Sequence, residues 1–90
     1  MNNSIRPEIA DFAQRMEFVL QNHDSKSPWQ DSTQNFLEHM VRTKHFDKLK
    51  YAVCGNDHAE VIKQATHISN YCMMICSNAV NLQTRSKSDE

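Results

Sequence analysis

One glycine and two prolines in 90 residues leave this chain almost no means of turning. A sheet fold needs turn residues every eight to twelve positions or so, and they are missing. Long helices are what remains. The expected fold is all-α, a small helical bundle of three main helices. Hydrophobic residues make up 39% and charged residues 23%, the balance of a globular chain that faces water. A single helical domain this short buries only a modest fraction of its surface, so completion of the core by oligomerisation, as a dimer or tetramer, is expected.

Helical periodicity places the elements. Residues 6–22 form the first helix, with Pro7 at its first position and Ile9, Phe12, Met16 and Val19 or Leu20 recurring along one side. "HDSKSPWQDS", residues 23–32, is a loop. Asp31 or Ser32 caps the second helix, which runs to about Val53. "CGND" ends it, with Gly55 at the position past the cap. Asp57 and Glu60 then make a capping box for a third helix, whose Val61, Ala65, Ile68, Cys72, Ile75, Ala79 and Leu82 alternate four and three apart. Such a stripe packs at the shallow angle of bundles and coiled coils. Residues 1–83 are read as one helical domain, and the apolar-free 84–90 as a disordered tail.

Several function classes drop out early. A net charge of −1 gives no overall electrostatic attraction to nucleic acid or to an anionic membrane. No apolar run reaches the roughly 18 residues that span a bilayer, and "MNNSIRPEIADF" lacks the basic and apolar regions of a secretory signal. A cytoplasmic location without a membrane partner is expected. Three cysteines, an odd number, do not make a disulfide framework. Cys72 and Cys76 share a helix face, but with His67 they lack the paired hooks of a structural zinc site, and no metal or cofactor is expected.

The anomaly is in "VRTKHFDKLK", residues 41–50. At about 100° per residue, Lys44 and Lys48 share the arc of Leu37, Met40, Val41 and Ala52, and His45 lies at its edge. On the third helix Gln64, His67 and Tyr71 form a polar lane at the same spacing. An antiparallel hairpin across "CGND" brings the two lanes level. Buried ammonium groups need an anion, and Asp47 and Glu38 point elsewhere. A phosphate-bearing ligand would satisfy the cluster; lysine stems lying along apolar surface with their heads in water would equally explain it.

Two longer stretches carry a family likeness. "FAQRMEFVLQNHDSKSPWQ" and "EVIKQATHISNYCMMICSNA" resemble the phage subgroup of MazG-like, all-α nucleotide pyrophosphohydrolases over roughly residues 11–79. Phe12, Ala13, Met16, Glu17, Asn22, His23, Lys26 and Trp29 match its opening helix and loop. Glu60, Val61, Ile62, Lys63, His67, Ile68, Asn70, Tyr71, Met73 and Met74 match its final helix. The family holds Mg²⁺ through two sets of carboxylates, and the metal bridges substrate phosphates and activates water. In this chain those positions read Lys44, His45 and Lys48, allowing one inserted residue after Trp29, and Gln64 and His67. No family carboxylate survives there.

The resemblance therefore implies the fold and a nucleotide-sized pocket without hydrolysis. The leading expectation is a non-catalytic phage protein that binds and sequesters a nucleotide or cyclic oligonucleotide signal of host defence. Lys26, Lys44 and Lys48 would contact phosphates, and His45 and His67 would donate hydrogen bonds. Trp29, Phe12 or Tyr71 would stack on a base, worth about 1–3 kcal/mol, with Gln64 and Asn70 completing the site. One alternative is a protein-binding inhibitor of a host defence protein or nuclease. Another is a divergent hydrolase using His45, His67 and Cys72 with a transition metal.

Overall fold

In a computed structural model of the chain, residues 5–22 and 28–88 are described, with only the helical backbone described from 85 to 88. Helix α1 spans Pro7–Gln21. A single 3₁₀ turn at Trp29–Asp31 leads into α2, Gln34–Met40. A π-helical turn, Val41–His45, joins α2 without a break to α3, Phe46–Cys54. Helix α4, His58–Ser88, has 31 residues and is about 46 Å long at about 1.5 Å per residue. The described residues contain no strand, and the all-α expectation holds. Helix α4 continues through most of 84–90, the stretch read above as a tail.

The ends of the helices follow from local chemistry. Pro7 starts α1, where a missing N–H costs nothing. The cap of α2 is Thr33, not Asp31 or Ser32: its hydroxyl accepts from Phe36 N–H at 3.1 Å. At the other end Gly55 N–H donates to Tyr51 O at 2.9 Å and Asp57 N–H to Ala52 O at 2.9 Å. The left-handed residue of this turn is Asn56, with φ 56°, rather than the glycine. Asn tolerates that region because its short polar side chain can bond locally. Asp57 Oδ1 accepts from Glu60 N–H at 3.2 Å and caps α4 as expected.

Helix α4 is the spine. Helices α1, α2 and α3 each pack on it, and α1 has no packing partner among the other elements of the described residues. The apolar core is correspondingly thin: Leu37, Val41 and Ala52 are the buried hydrophobic residues among those described, and Gln64, Thr66 and Asn70 are buried beside them. Thr66 satisfies its hydroxyl on Ile62 O at 2.7 Å. Meanwhile Ile9, Phe18, Phe36, Phe46, Tyr51 and Val53 each leave half or more of their surface exposed.

With so few fully buried side chains, Leu37 carries an outsized share of the packing. Leu37→Ala is expected to lower unfolding free energy by about 2–5 kcal/mol. Asn56→Val forces a β-branched residue into the left-handed region and should cost about 1–2 kcal/mol, with Asn56→Gly close to neutral. Urea unfolding followed by circular dichroism, at one protein concentration, checks all three.

Candidate functional site

The gap between α1 and α2 is a cleft of about 600 Å³ with α4 as its floor. Val19 and Leu20 of α1 form one wall, and Phe36, Leu37 and Met40 of α2 the other. Trp29 and Ser32 close one end. At the other end stand Lys44 and His45, over His67, Asn70 and Tyr71. The cleft is thus apolar along its sides and polar at one end, the usual layout of a small-molecule site.

The π turn decides which side chains reach this cleft. Phe46 N–H donates to Val41 O, an i→i+5 bond that puts one extra residue into the turn. Relative to an ideal wheel, everything after Val41 is set back by about 100°. The inward positions become Leu37, Val41, His45 and Ala52, of which His45 is half-buried and the other three buried. Lys44 and Lys48 are exposed. The inward arc drawn for them from the sequence is therefore wrong, and the reason is the π turn. Lys44 still borders the cleft, whereas Lys48 does not.

The two polar lanes do meet, through His45. Its Nδ1 lies 2.7 Å from Gln64 Oε1, and Gln64 Nε2 donates to Glu60 Oε2 at 2.7 Å. Because the Gln64 amide must turn its NH₂ toward the carboxylate, its oxygen faces the imidazole, and His45 Nδ1 is the protonated nitrogen of that bond. The His45 ring stacks on His67, with centroids 5.1 Å apart and planes at 21°. It meets Tyr71 at 5.5 Å and 37°. Burial pushes the Tyr71 phenol above its ordinary value of 10.0, since the phenolate is the form that loses hydration.

Asn70 is 3% exposed and donates from Nδ2 to Met16 O at 3.3 Å, tying α4 to α1. Its Oδ1 has no partner among the described residues. Trp29 is half-buried and borders the cleft. Phe12, also half-buried, does not border it. Lys26 lies outside the described residues. Gln64 sits under the cleft rather than in its wall. Glu60 was missed in the sequence as a site residue, although it stands one helical turn before Gln64, where side chains meet. The apolar wall residues Phe36, Met40 and Met74 were likewise unmarked.

Among the described residues no carboxylate side chain lines the cleft. Among the described residues no group of three His, Cys, Asp or Glu side chains converges as a metal site. The residues present do not fit Mg²⁺, a hard cation that takes oxygen ligands. Cys72, Cys76 and Cys54 are exposed free thiols, and none borders the cleft. No described helix is long and apolar enough to cross a membrane. The chain matches no family model, no curated protein and no solved structure.

In a Tyr51→Phe variant Tyr71 is the only tyrosine left, and its ultraviolet titration should have a midpoint above 10.0. The sign for stability follows. The folded state holds this proton more tightly than the unfolded one, so the contribution is complete below the unfolded value and lost as pH rises through the folded one. A midpoint at or below the ordinary value would contradict the burial of this phenol.

Proposed function

We propose that the chain is a non-catalytic, MazG-like phage protein that binds and sequesters a nucleotide or cyclic oligonucleotide signal and so counteracts host anti-phage defence. The supporting observation is the make-up of the cleft: an ammonium group, two stacked imidazoles, a phenol and an indole around a space of about 600 Å³, with no lining carboxylate among the described residues. Cations and N–H donors suit phosphate, and aromatic faces suit bases. Without carboxylates to hold Mg²⁺ and activate water, a bound phosphoanhydride or diester has nothing to cleave it by the family's route. Binding without turnover is the consistent outcome.

The protein acts as a homo-oligomer, a dimer or tetramer, in this reading. The large hydrophobic residues left exposed, with Phe18 at 65% and Tyr51 at 69%, support it, because three buried apolar residues among those described make a meagre core for a lone chain. It works in the host cytoplasm.

A thermal-shift screen against mononucleotides and cyclic di- and trinucleotides in EDTA tests the reading. A ligand at 100 times its dissociation constant stabilises the folded state by about 2.7 kcal/mol, several degrees in melting temperature for a chain of this size. Lys44→Glu should abolish the shift with the helical circular dichroism unchanged. Lys48→Glu, outside the cleft, should leave it within about threefold in affinity. A flat screen would overturn nucleotide binding and turn the search to a host protein, defence factor or nuclease, docking on the exposed aromatic residues.

A further inference from the structure

The role expected of His45, donating a hydrogen bond to phosphate, conflicts with its tautomer. Nδ1 already donates to Gln64 Oε1, which is fixed in that orientation by the Gln64 bond to Glu60. Gln64 lies beneath the cleft and is 2% exposed. With Nδ1 turned toward it, the opposite ring edge, which carries Nε2, is the edge left for the cleft. In neutral imidazole that nitrogen is a bare lone pair. It repels a phosphate oxygen unless it first takes a proton.

We propose that Gln64, held by Glu60, is a positioning residue that presents His45 Nε2 to the cleft, so that a phosphodiester binds there together with one proton. The proposal rests on the nucleotide reading of the cleft. A solvent proton forms an N–H bond at the Nε2 lone pair, and that N–H donates to a phosphate oxygen. The Nδ1–H bond to Gln64 is unchanged, and no bond to phosphorus forms or breaks. The imidazolium keeps both donors engaged, with the Glu60 carboxylate two bonds behind it.

The other charged and titratable groups around the ring are few. Helix α4 contributes His67 and Tyr71 directly, and Glu60 through Gln64. The ring's own turn contributes Lys44, and among the described residues α1, the Trp29 turn and α2 add none to the cleft wall. A phosphate oxygen at Nε2 stabilises the added positive charge through a charge-assisted hydrogen bond, which is why proton and ligand arrive together. The bound state is the more basic one. The affinity gain is therefore complete below the imidazole titration of the free protein and lost as pH rises through that of the complex.

The test is calorimetric titration of the full chain, in EDTA, with 3′,5′-cyclic AMP, cyclic di-AMP and cyclic di-GMP between about pH 5.5 and 8.5, where imidazoles titrate. Each phosphodiester keeps a single negative charge over this range, so the ligand contributes no slope. The dissociation constant of whichever probe binds should rise at least fivefold with pH, and the heat should vary with buffer ionisation enthalpy as a proton is taken up. His45→Phe retains a flat ring against His67 and Tyr71 and should bind more weakly with no slope. Gln64→Met fills the same volume without the acceptor and should move the midpoint to lower pH, a change that a merely structural Gln64 would not cause. Should Gln64→Met fail to fold, His45→Phe decides. A pH-independent affinity in the wild type, or an undiminished slope in His45→Phe, overturns the proposal and leaves nucleotide binding standing. Failure of every probe to bind at any pH overturns both.

Discussion

The hydrogen bond between Gln64 and His45 is the contact on which the arrangement of this small protein turns. It spans the hairpin of α3 and α4 at the level where the core changes from apolar to polar. Gln64 is almost wholly buried, and a buried amide left unpaired costs about 1–3 kcal/mol. Both ends of this one are used, on Glu60 and on His45. A shift of the hairpin by one residue would strand the Gln64 oxygen and His45 Nδ1, while the Gln64–Glu60 bond, which lies within α4, would remain. Apolar side chains such as Leu37 and Val41 reward burial in any register that keeps them inside. The amide accepts only one, so register and ring orientation come from the polar contact.

That contact requires a distortion. A regular α-helix from Gln34 to Cys54 would carry Lys44 inward and turn His45 toward the edge. The π turn at Val41–His45 sets the helix back so that the imidazole enters and the ammonium groups leave. Short π segments are costly in regular helices and cluster where a side chain must be re-aimed. Here the gain is specific: two lysines avoid desolvation, and one histidine reaches an amide and an aromatic stack. What read in the sequence as charges in a dry stripe is the trace of this backbone adjustment.

Most of the fold was legible because its signals are local and periodic. The scarcity of Gly and Pro excluded sheets. Pro7 and Asp57 placed two helix starts to within a few residues. The four–three stripe misplaced the packing face of α4: Cys72, Ala79 and Leu82 are exposed, and the side chains this helix buries are Gln64, Thr66 and Asn70. That the two polar lanes meet followed from the hairpin across Gly55, although it is His45, and neither lysine, that reaches Gln64. Two things were hidden. A wheel drawn at a constant angle cannot register a π turn, so Lys44 and Lys48 were assigned inward positions. The cleft walls, Val19, Leu20, Phe36, Met40 and Met74, read as ordinary core because an apolar residue lining a cleft has the same spacing as one buried in a bundle.

The cleft itself is a consequence of how the helices share α4. Helix α1 and the α2–α3 rod both rest on the spine, and α1 does not pack against the rod. A closed three-helix bundle would press Val19 and Leu20 against Phe36 and Met40 and bury far more apolar surface, at about 25 cal/mol for each Å². The chain forgoes that stability, and the polar residues of the floor explain how. Asn70 holds α1 at Met16, and Gln34 Nε2 holds the start of α2 at Ile75 O, 3.0 Å away. Each tie links a helix to α4, and the stacked rings of His45 and His67, with Tyr71 beside them, add a contact between the α2–α3 rod and α4. Apolar walls kept apart by polar ties give a site with two chemically different ends.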